Sequence, residues 1–347
     1  MIENIKLTNF RRFNELDIDI KKNITVFYGN NAKGKSTILE AIYLITNGTS
    51  PWASSNEFIS YNQGDENNFC RVEIIFNTKK YSYFRDGNKK ILQIDGKNTS
   101  PKKFFEKIAS TIFNPEQIEI LMISPSKRRD FLDEAISIME YEYSNKLKTF
   151  RKILRQRNAY LKKLSKDFYE KGIVARNDTQ LNFWTEEFVE ISKYIQNKRE
   201  EITKELFFDK LKMQYVKSNK EEELSDSLED CKKRDIATGY TNIGPHRDDW
   251  TLTNGSDIKK FGSRGEKRLA IGQMIFKKQE IISNKLGFYP ILLLDDIASE
   301  LDQNNSEKIF DKKLLKKQQT FLTIIDPDDL PKDVVEDAQL IDLNSFE

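Results

Sequence analysis

Two kinds of hydrophobic spacing divide the chain into outer parts rich in strands and a middle part rich in helices. Before residue 117, short runs alternate apolar and polar residues, which predicts β-strands. The expected strands there are Ile2–Phe10, Glu15–Ile20, Asn23–Tyr28, Arg71–Phe76, Lys80–Arg85 and Ile91–Asp95. Between Gln117 and about Asp235, Gly172 is the only glycine, and apolar residues recur at helical spacing. The pattern therefore predicts an α/β domain interrupted by an inserted helical arm.

Two apolar stripes predict the main helices of this arm. They are Leu147, Phe150, Leu154, Leu161, Leu164 and Phe168 in the first, and Phe183, Phe188, Ile191 and Ile195 in the second. The spacing typical of a long coiled coil does not persist through Asp167–Gln180. We therefore expect several antiparallel helices, entered near Gln117 and left near Asp235. After the arm, Trp250–Phe261 resembles a hairpin that turns on an Asn-Gly pair.

A glycine-rich turn joins the strand that ends at Tyr28 to a helix expected over Ser36–Thr46. Its sequence, GNNAKGKST, contains the pattern G-x-x-x-x-G-K-[ST]. Glycines let successive N–H groups point at phosphate oxygens, and a helix N-terminus favours an anion. The sequence therefore predicts a nucleoside triphosphate site, against the alternative of an ordinary glycine-rich turn. Its residues are Gly29, Asn30, Asn31, Ala32, Lys33, Gly34, Lys35, Ser36 and Thr37.

A second stretch supplies the carboxylates that such a site needs. Four apolar residues, Ile291–Leu294, precede Asp295 and Asp296, as a buried parallel strand would deliver acids to the edge of a sheet. We expect Asp295 and Ser36 to hold Mg²⁺. Two catalytic residues are predicted: Asp296 as the general base, and Lys35, exposed in the empty loop, to reach the β- and γ-phosphates.

A third stretch lies about 30 residues before these aspartates. Lys259–Phe276, KKFGSRGEKRLAIGQMIF, resembles the signature of ABC ATPases, in which a serine and a glycine cap the γ-phosphate on a partner subunit. Ser263 and Gly265 would have these roles here. The alternative is an ordinary helix cap, with Ser263 and Glu266 as a capping pair. The SELD sequence at Ser299–Asp302 matches the D-loop of the same class.

Composition changes this picture only slightly. The chain has 347 residues, 32% of them charged, and a net charge of +2, so any nucleic-acid surface must be local. No apolar run approaches the roughly 20 residues of a membrane span. The two cysteines, Cys70 and Cys231, are far apart in the sequence, which fits a reducing compartment. Without an apolar leader at the N-terminus, we expect a cytoplasmic protein.

A run of one charge sign marks the first arm helix. Lys146 to Lys163 contains eight Lys or Arg residues and no Asp or Glu. A solvated helix face, which is the alternative, usually carries both signs. The run, together with SPSKRRDF before it, therefore predicts contacts to DNA phosphates. The expected DNA-binding residues are Lys127, Arg128, Arg129, Arg151, Lys152 and Arg155.

Taken together, these motifs resemble the bacterial RecF family over nearly the whole length. The resemblance is carried by NFRRF at Asn9–Phe13, the glycine-rich loop, the R-R-x-F-L-D run ending at Asp133, LRQRNAYL at Leu154–Leu161, GPHRDDW at Gly244–Trp250 and LLLDDIASELD at Leu292–Asp302. It implies an ABC-type P-loop ATPase head of α/β class, with an N-terminal antiparallel β subdomain and an inserted α-helical arm. The boundaries would be 1–116 and 236–347 for the head and 117–235 for the arm.

The resemblance also implies a function. Such a protein would bind ATP and Mg²⁺, dimerise on ATP, and bind single- and double-stranded DNA at gaps or junctions. With RecO and RecR it would help to load RecA in recombination repair. The alternatives are an ABC-type subunit of a transport or signalling complex without DNA, and a kinase. A transporter subunit would carry a switch histidine and a shorter insertion, and a kinase would act as a monomer on a second substrate.

Three positions depart from the ABC pattern. Gly262 stands where a leucine usually begins the signature. Without that leucine side chain, the signature helix is not expected to pack in the usual way. Glu266 replaces the usual glutamine. The expected strand Thr320–Asp326 has no switch histidine, so we expect slow hydrolysis. The only histidine, His246, lies in GPHRDDW, where it either satisfies backbone groups in a turn, which we favour, or acts at a dimer interface.

Overall fold

The computed structural model describes residues 1–52, 57–59, 69–87, 89–114, 120–122, 124–171, 178–219, 223–296 and 312–346. The chain divides into two compact units. The first combines Met1–Glu119 with Ile271–Glu347, and the second is Ile120–Ala270. The second unit therefore continues past the arm boundary expected near residue 235. No helix in the described ranges is long and apolar enough to cross a membrane.

The regular elements follow one another along the chain in a mixed order. The strands are β1 (Ile2–Phe10), β2 (Phe13–Asp19), β3 (Ile24–Tyr28), β4 (Phe69–Phe76), β5 (Lys79–Asp86), β6 (Lys89–Ile94), β7 (Lys97–Asn98), β8 (Ser110–Phe113), β9 (Phe207–Phe208), β10 (Leu211–Val216), β11 (Asp249–Thr253), β12 (Ile291–Asp295), β13 (Thr320–Ile324) and β14 (Gln339–Asp342). The helices are α1 (Lys35–Asn47), α2 (Pro101–Phe104), α3 (Pro125–Met139), α4 (Tyr141–Lys171), α5 (Thr179–Glu205), α6 (Leu224–Thr238), α7 (Ile258–Phe261), α8 (Arg264–Leu286), α9 (Lys312–Leu315) and α10 (Lys332–Asp337).

The first unit contains two sheets. Its described strands form an antiparallel sheet in the order β2-β1-β4-β5-β6-β7 and a parallel sheet in the order β14-β3-β13-β12-β8. Helix α1 and apolar residues of both sheets share one hydrophobic core. The strand β12 is buried along its whole length, as expected of a central parallel strand. The predicted α/β class with an antiparallel β subdomain is confirmed, and the expected strands are shifted at their ends by at most two residues.

The second unit is built on the two long helices α4 and α5. Aromatic pairs Phe150–Phe188 and Tyr143–Tyr194, with ring centroids 5.6 and 6.2 Å apart, show that the helices run antiparallel. Most predicted stripe positions are buried. The prediction is wrong for Phe168 and Phe183, which are 36% and 52% exposed. Both residues lie toward the end of α4 and the start of α5, where the apolar spacing includes positions that the fold leaves exposed.

A small sheet in the second unit was not predicted. Its order is β11-β10-β9, and its central strand, Leu211–Val216, lies in a region expected to be helical. The alternation of buried Leu211 and Met213 with exposed neighbours is the signal that could have indicated it. The expected hairpin over Trp250–Phe261 is wrong for its second strand, and only a single antiparallel bridge, Thr253 to Asp257, forms around Asn254-Gly255. Strand β11 pairs with β10, and the second half is helix α7, which Asp257 caps through the Lys260 N–H.

Candidate nucleotide site and nucleic-acid surface

The glycine-rich loop lies between β3 and α1, and all nine predicted nucleotide residues lie on it or on the first turn of α1. Gly34 begins the helix with φ 93°, and a Cβ there would lie 2.5 Å from the Phe13 ring. Both facts require glycine. The first turn of α1 carries no acidic residue. The positive end of the helix dipole is therefore left to an external anion.

The position of Lys35 corrects the expectation that it is exposed. Its side chain is only 8% exposed, and its Nζ donates to the carbonyl oxygens of Gly29 at 2.6 Å and Asn30 at 3.1 Å. The loop curls so that these carbonyls enclose the ammonium group. Burial lowers the pKa of Lys35, while the charges of Asp296 and Asp295 oppose that shift. The ammonium group of Lys35 is therefore bonded to the first two residues of the glycine-rich loop.

Ser36 and Asp295 are in contact although they are 259 positions apart in the sequence. The Ser36 hydroxyl donates to Asp295 Oδ1 at 2.8 Å, and the Thr323 hydroxyl donates to the same oxygen at 2.7 Å. Burial raises the pKa of Asp295, while these hydrogen bonds and the Lys35 charge oppose the shift. A buried carboxylate beside a hydroxyl is the donor set that Mg²⁺ takes when phosphate oxygens complete its shell. Thr323, a polar residue in a buried strand, was missed by sequence reasoning.

Asp296 follows directly with a strained backbone. Its φ of 47° is uncommon for a residue other than glycine. Its N–H group is held by both the hydroxyl of Thr323 at 2.9 Å and the carbonyl of Thr323 at 3.2 Å. Such strain persists where the surroundings impose it, and it is frequent at functional sites. The predicted D-loop, Ser299–Asp302, lies outside the described residues.

The signature region has the geometry of a reciprocal helix cap. The Ser263 N–H donates to Glu266 Oε2 at 2.7 Å, and the Glu266 N–H donates to the Ser263 hydroxyl at 3.2 Å. The hydrogen bond from the Ser263 N–H, followed by one from the Ser263 side chain, lowers the pKa of Glu266. A Cβ at Gly262 would lie 2.6 Å from the Ile258 carbonyl oxygen, so a leucine does not fit between α7 and α8. The roles of Ser263 and Gly265 toward a partner's nucleotide stay predictions.

GPHRDDW contributes packing and hydrogen bonds within the second unit. His246 Nε2 donates to the Thr241 carbonyl at 2.9 Å, and its ring contacts Phe150 and Phe188. Its Nδ1 is buried without a hydrogen-bond partner among the described residues. A Cβ at Gly244 would lie 2.6 Å from the Phe188 ring. Asp248 accepts from Gln196, Tyr215 and the Ser218 N–H.

Burial removes Arg128 from the expected DNA-binding set. Its side chain is 1% exposed, and its guanidinium makes a two-point ion pair with Asp249 at 2.6 and 2.8 Å. Arg129 is half-buried and donates to the Asp248 carbonyl at 2.8 Å. Arg157, in the basic run, is also 1% exposed and pairs with buried Asp235 at 2.9 Å. A run of one sign thus contains both structural and surface cations.

The other basic residues of the run lie on the surface of α4. Arg151, Lys152 and Arg155 are exposed, as is Lys127 at the start of α3. Arg151 faces Asp130 at 3.9 Å, and this pair is more than half exposed on both sides. Such a pair contributes at most about 1 kcal/mol and leaves the arginine able to exchange partners. This surface is compatible with phosphate contacts.

Comparisons with known proteins agree with the geometry. The model of the RecF/RecN/SMC N-terminal domain family matches residues 1–332. The DNA replication and repair protein RecF of Clostridium kluyveri is 35% identical over 98% of this chain and 96% of its own length. The chain belongs to the RecF family. RecF of Clostridium tetani is 32% identical over all of this chain and 98% of the relative.

Solved structures extend the RecF comparison to the fold. The recombination mediator protein RecF with ATPrS, of the RecFOR pathway, is similar with a TM-score of 0.80 and 28% identity, over 95% of this chain and 94% of that one. RecF with ATP gives a TM-score of 0.80 at 27% identity, over 95% and 93% of the two chains. An Smc head bound to part of ScpA, at 16% identity and TM-score 0.51, shares the fold alone. The predicted family is thereby confirmed.

The buried histidine of this RecF-family chain makes stability depend on pH. Burial lowers the pKa of His246 to about 4, with the Thr241 hydrogen bond opposing and the nearby charges of Arg247, Asp248 and Arg129 contributing less. The unfolded chain binds this proton near pH 6.5, so the histidine's contribution is complete above that pH and is lost as the pH falls toward 4. We expect a loss of about 3 kcal/mol.

Urea unfolding of the wild type and His246→Phe at pH 7, 5.5 and 4.5 measures this loss. The carboxylates titrate in both proteins, so the difference in slope belongs to the histidine. The phenylalanine variant should lose less stability than the wild type on acidification. Parallel pH curves for the two proteins would contradict the assignment.

Proposed function

We propose that this chain is an ATP-dependent DNA-binding protein of homologous-recombination repair that uses slow ATP hydrolysis as a switch. The observation that carries the proposal is the meeting of Ser36 and Asp295 beside the glycine-rich loop at 2.8 Å. The RecF family relationship supports it, since the similar solved proteins are RecF with ATP and RecF with ATPrS. Because the proposed substrate is DNA of the cell, we place the activity in the cytoplasm.

Different residues of the site are proposed to bind the phosphates and the metal ion. The N–H groups of the loop and of the start of α1 would surround the phosphates, and Lys35 would turn from the Gly29 and Asn30 carbonyls toward the β- and γ-phosphates. Ser36 and Asp295 would hold Mg²⁺, which neutralises phosphate charge when bound. The hydroxyl of Thr323 fixes the Asp295 carboxylate from the opposite strand.

Asp296 is proposed as the base that takes a proton from the attacking water. Its N–H group is bonded to the Thr323 hydroxyl, which also holds the Asp295 carboxylate, so one threonine positions both aspartates at the end of β12. The strand β13 and the residues after it carry no histidine, and the slow hydrolysis that we propose follows from the missing switch residue. A long-lived ATP state suits a switch.

Dimerisation on ATP is proposed through the signature region. Ser263 is exposed at the start of α8, and its hydroxyl accepts a hydrogen bond from the Glu266 N–H at 3.2 Å. In this proposal Ser263 and Gly265 cap the γ-phosphate bound by a second copy. The dimer would act at gapped or junctional DNA and, with RecO and RecR, help to load RecA.

Lys35→Ala tests the nucleotide site. We expect ATP binding, and with it ATP-dependent dimerisation and DNA binding, to be lost, because Lys35 is the residue of the loop motif whose ammonium reaches the β- and γ-phosphates. The variant should stay folded by circular dichroism, since only two loop carbonyls lose a partner. Lys332→Ala, an exposed lysine of the same unit, is the control. Dimerisation of Lys35→Ala with ATP, measured by sedimentation, would refute the assignment.

Asp296→Asn separates hydrolysis from binding. The metal ligand Asp295 stays in place, so ATP should bind normally while turnover falls about 10²–10⁴-fold, the usual contribution of a general base. The ATP-bound dimer should accumulate. Asp329→Asn, exposed after β13, is the matched control. Unchanged turnover by phosphate release would rule out Asp296 as the base.

The DNA surface of α4 is tested by replacing Arg151, Lys152 and Arg155 together with glutamine. Contacts to phosphates carry no base information, so affinity should fall about equally for all DNA sequences. Losing three contacts should lower the slope of log K against log salt by about 2.7 on duplex DNA, and by twice that if both arms of a dimer engage. ATP binding should not change.

The matched control replaces three exposed lysines elsewhere in the second unit, Lys210, Lys212 and Lys233, with glutamine. The net charge of the chain changes equally in both triple variants. A salt slope that falls only in the α4 variant supports local contacts. An unaltered slope in the α4 variant would mean that the run is a solvated helix face.

A further inference from the structure

A turn that follows β14 contacts the first residues of the glycine-rich loop. Strands β14 and β3 run parallel as neighbours, with Asp342 opposite Tyr28. The residues that follow these two strands therefore emerge at the same edge of the sheet. Asn344 Oδ1 accepts a hydrogen bond from the Asn30 N–H at 3.1 Å. No motif of the sequence includes this asparagine.

The turn that carries Asn344 is itself fixed. Leu343 is fully buried in the core of the first unit. The Asn344 N–H donates to Asp342 Oδ1 at 2.8 Å, and the Ser345 hydroxyl donates to the Asp342 carbonyl at 2.7 Å. The side-chain amide of Asn344 is therefore presented from a rigid support rather than from a mobile segment.

The amide also lies against Gly29. A Cβ built at Gly29 would be 3.1 Å from both the nitrogen and the oxygen of the Asn344 amide, so the amide covers this glycine. The Gly29 N–H donates to the Ile325 carbonyl at 3.3 Å. The beginning of the loop is thus bonded to residues after β13 and after β14, one strand on each side of β3.

Lys35 bonds to the same short segment from within the loop. Its Nζ holds the carbonyls of Gly29 and Asn30, and those bonds must break when the lysine turns to a phosphate. The bond from Asn30 to Asn344 uses an N–H group that Lys35 does not touch. It can therefore persist while Lys35 changes partners.

We propose that Asn344 is a positioning residue for nucleoside triphosphate binding, which keeps the Gly29–Asn30 segment in its binding conformation when Lys35 moves to the phosphates. The inference rests on the proposed nucleotide site. Asn344 acts through the loop backbone. By ordering the loop before the nucleotide binds, it reduces the conformational entropy that is lost on binding.

The first readout is ATP affinity. Asn344→Ala should weaken ATP binding about 5-fold, as expected for the loss of one hydrogen bond, measured by titration calorimetry. Leu340→Ala, an exposed position on β14, is the matched control and should bind as the wild type does. Asn344→Asp keeps the acceptor oxygen, so it should recover affinity at salt high enough to screen its added charge.

The second readout needs no nucleotide. Amide exchange measured by NMR should become faster at Asn30 in Asn344→Ala, but not at Gly29, whose N–H bonds to Ile325. Asn344→Asp should restore slow exchange at Asn30. A merely structural effect of the substitution would instead speed exchange throughout β14 and β3.

The inference requires both changes together. It is overturned if Asn344→Ala binds ATP as tightly as the wild type, or if affinity falls without faster exchange at Asn30. A failure of the underlying nucleotide site has a different signature, because Lys35→Ala would then bind ATP normally as well. Loss of binding in Lys35→Ala with wild-type behaviour of Asn344→Ala would overturn the role of Asn344 alone.

Discussion

The hydrogen bond from Ser36 to Asp295 is the constraint around which the first unit is arranged. It joins residues 259 positions apart and forms only because β13 pairs with both β3 and β12 in the observed register. Thr323, on that middle strand, bonds the Asp295 carboxylate and the Asp296 N–H. Burial raises the pKa of Asp295, so the carboxylate is stabilised most when a cation lies beside it. The pairing of the strands, not closeness along the chain, brings the two halves of the site together.

In the second unit, several buried charges are already paired with one another inside the protein. Arg128, Arg157 and Arg199 are buried and bonded to Asp249, Asp235 and Asp133 respectively. Removing one partner of such a pair leaves a buried charge and costs about 3–5 kcal/mol. Arg128–Asp249 joins α3 to GPHRDDW, whereas Arg157–Asp235 joins α4 to α6 and Arg199–Asp133 joins α5 to α3. The basic residues on the surface of α4, such as Arg151, Lys152 and Arg155, are instead exposed to an external polyanion.

The sequence predicted elements whose signals are local. Strand ends, the loop around Gly34 and the double aspartate all follow from spacing within about 15 residues. It failed for Arg128, whose partner Asp249 lies 121 positions away in the sequence. The sequence also failed for Lys35, which was expected to be exposed. The carbonyls of Gly29 and Asn30 bury it, and they approach its ammonium group only in the folded conformation of the loop. Asn344 carries no motif, and its contact depends on β14 lying next to β3.

The two units therefore use family motifs differently. In the first unit, the motif residues Gly34, Ser36 and Asp295 converge at one sheet edge, where an anion and a cation can bind. In the second unit, the motif residue His246 bonds to a backbone carbonyl, and the motif residue Arg128 bonds to the carboxylate of Asp249. A sequence motif that distinguishes a family thus indicates chemistry only where its polar atoms are left for an external partner. Where those atoms are already paired within the protein, the motif specifies packing, and its substitution should be measured first as a change in stability.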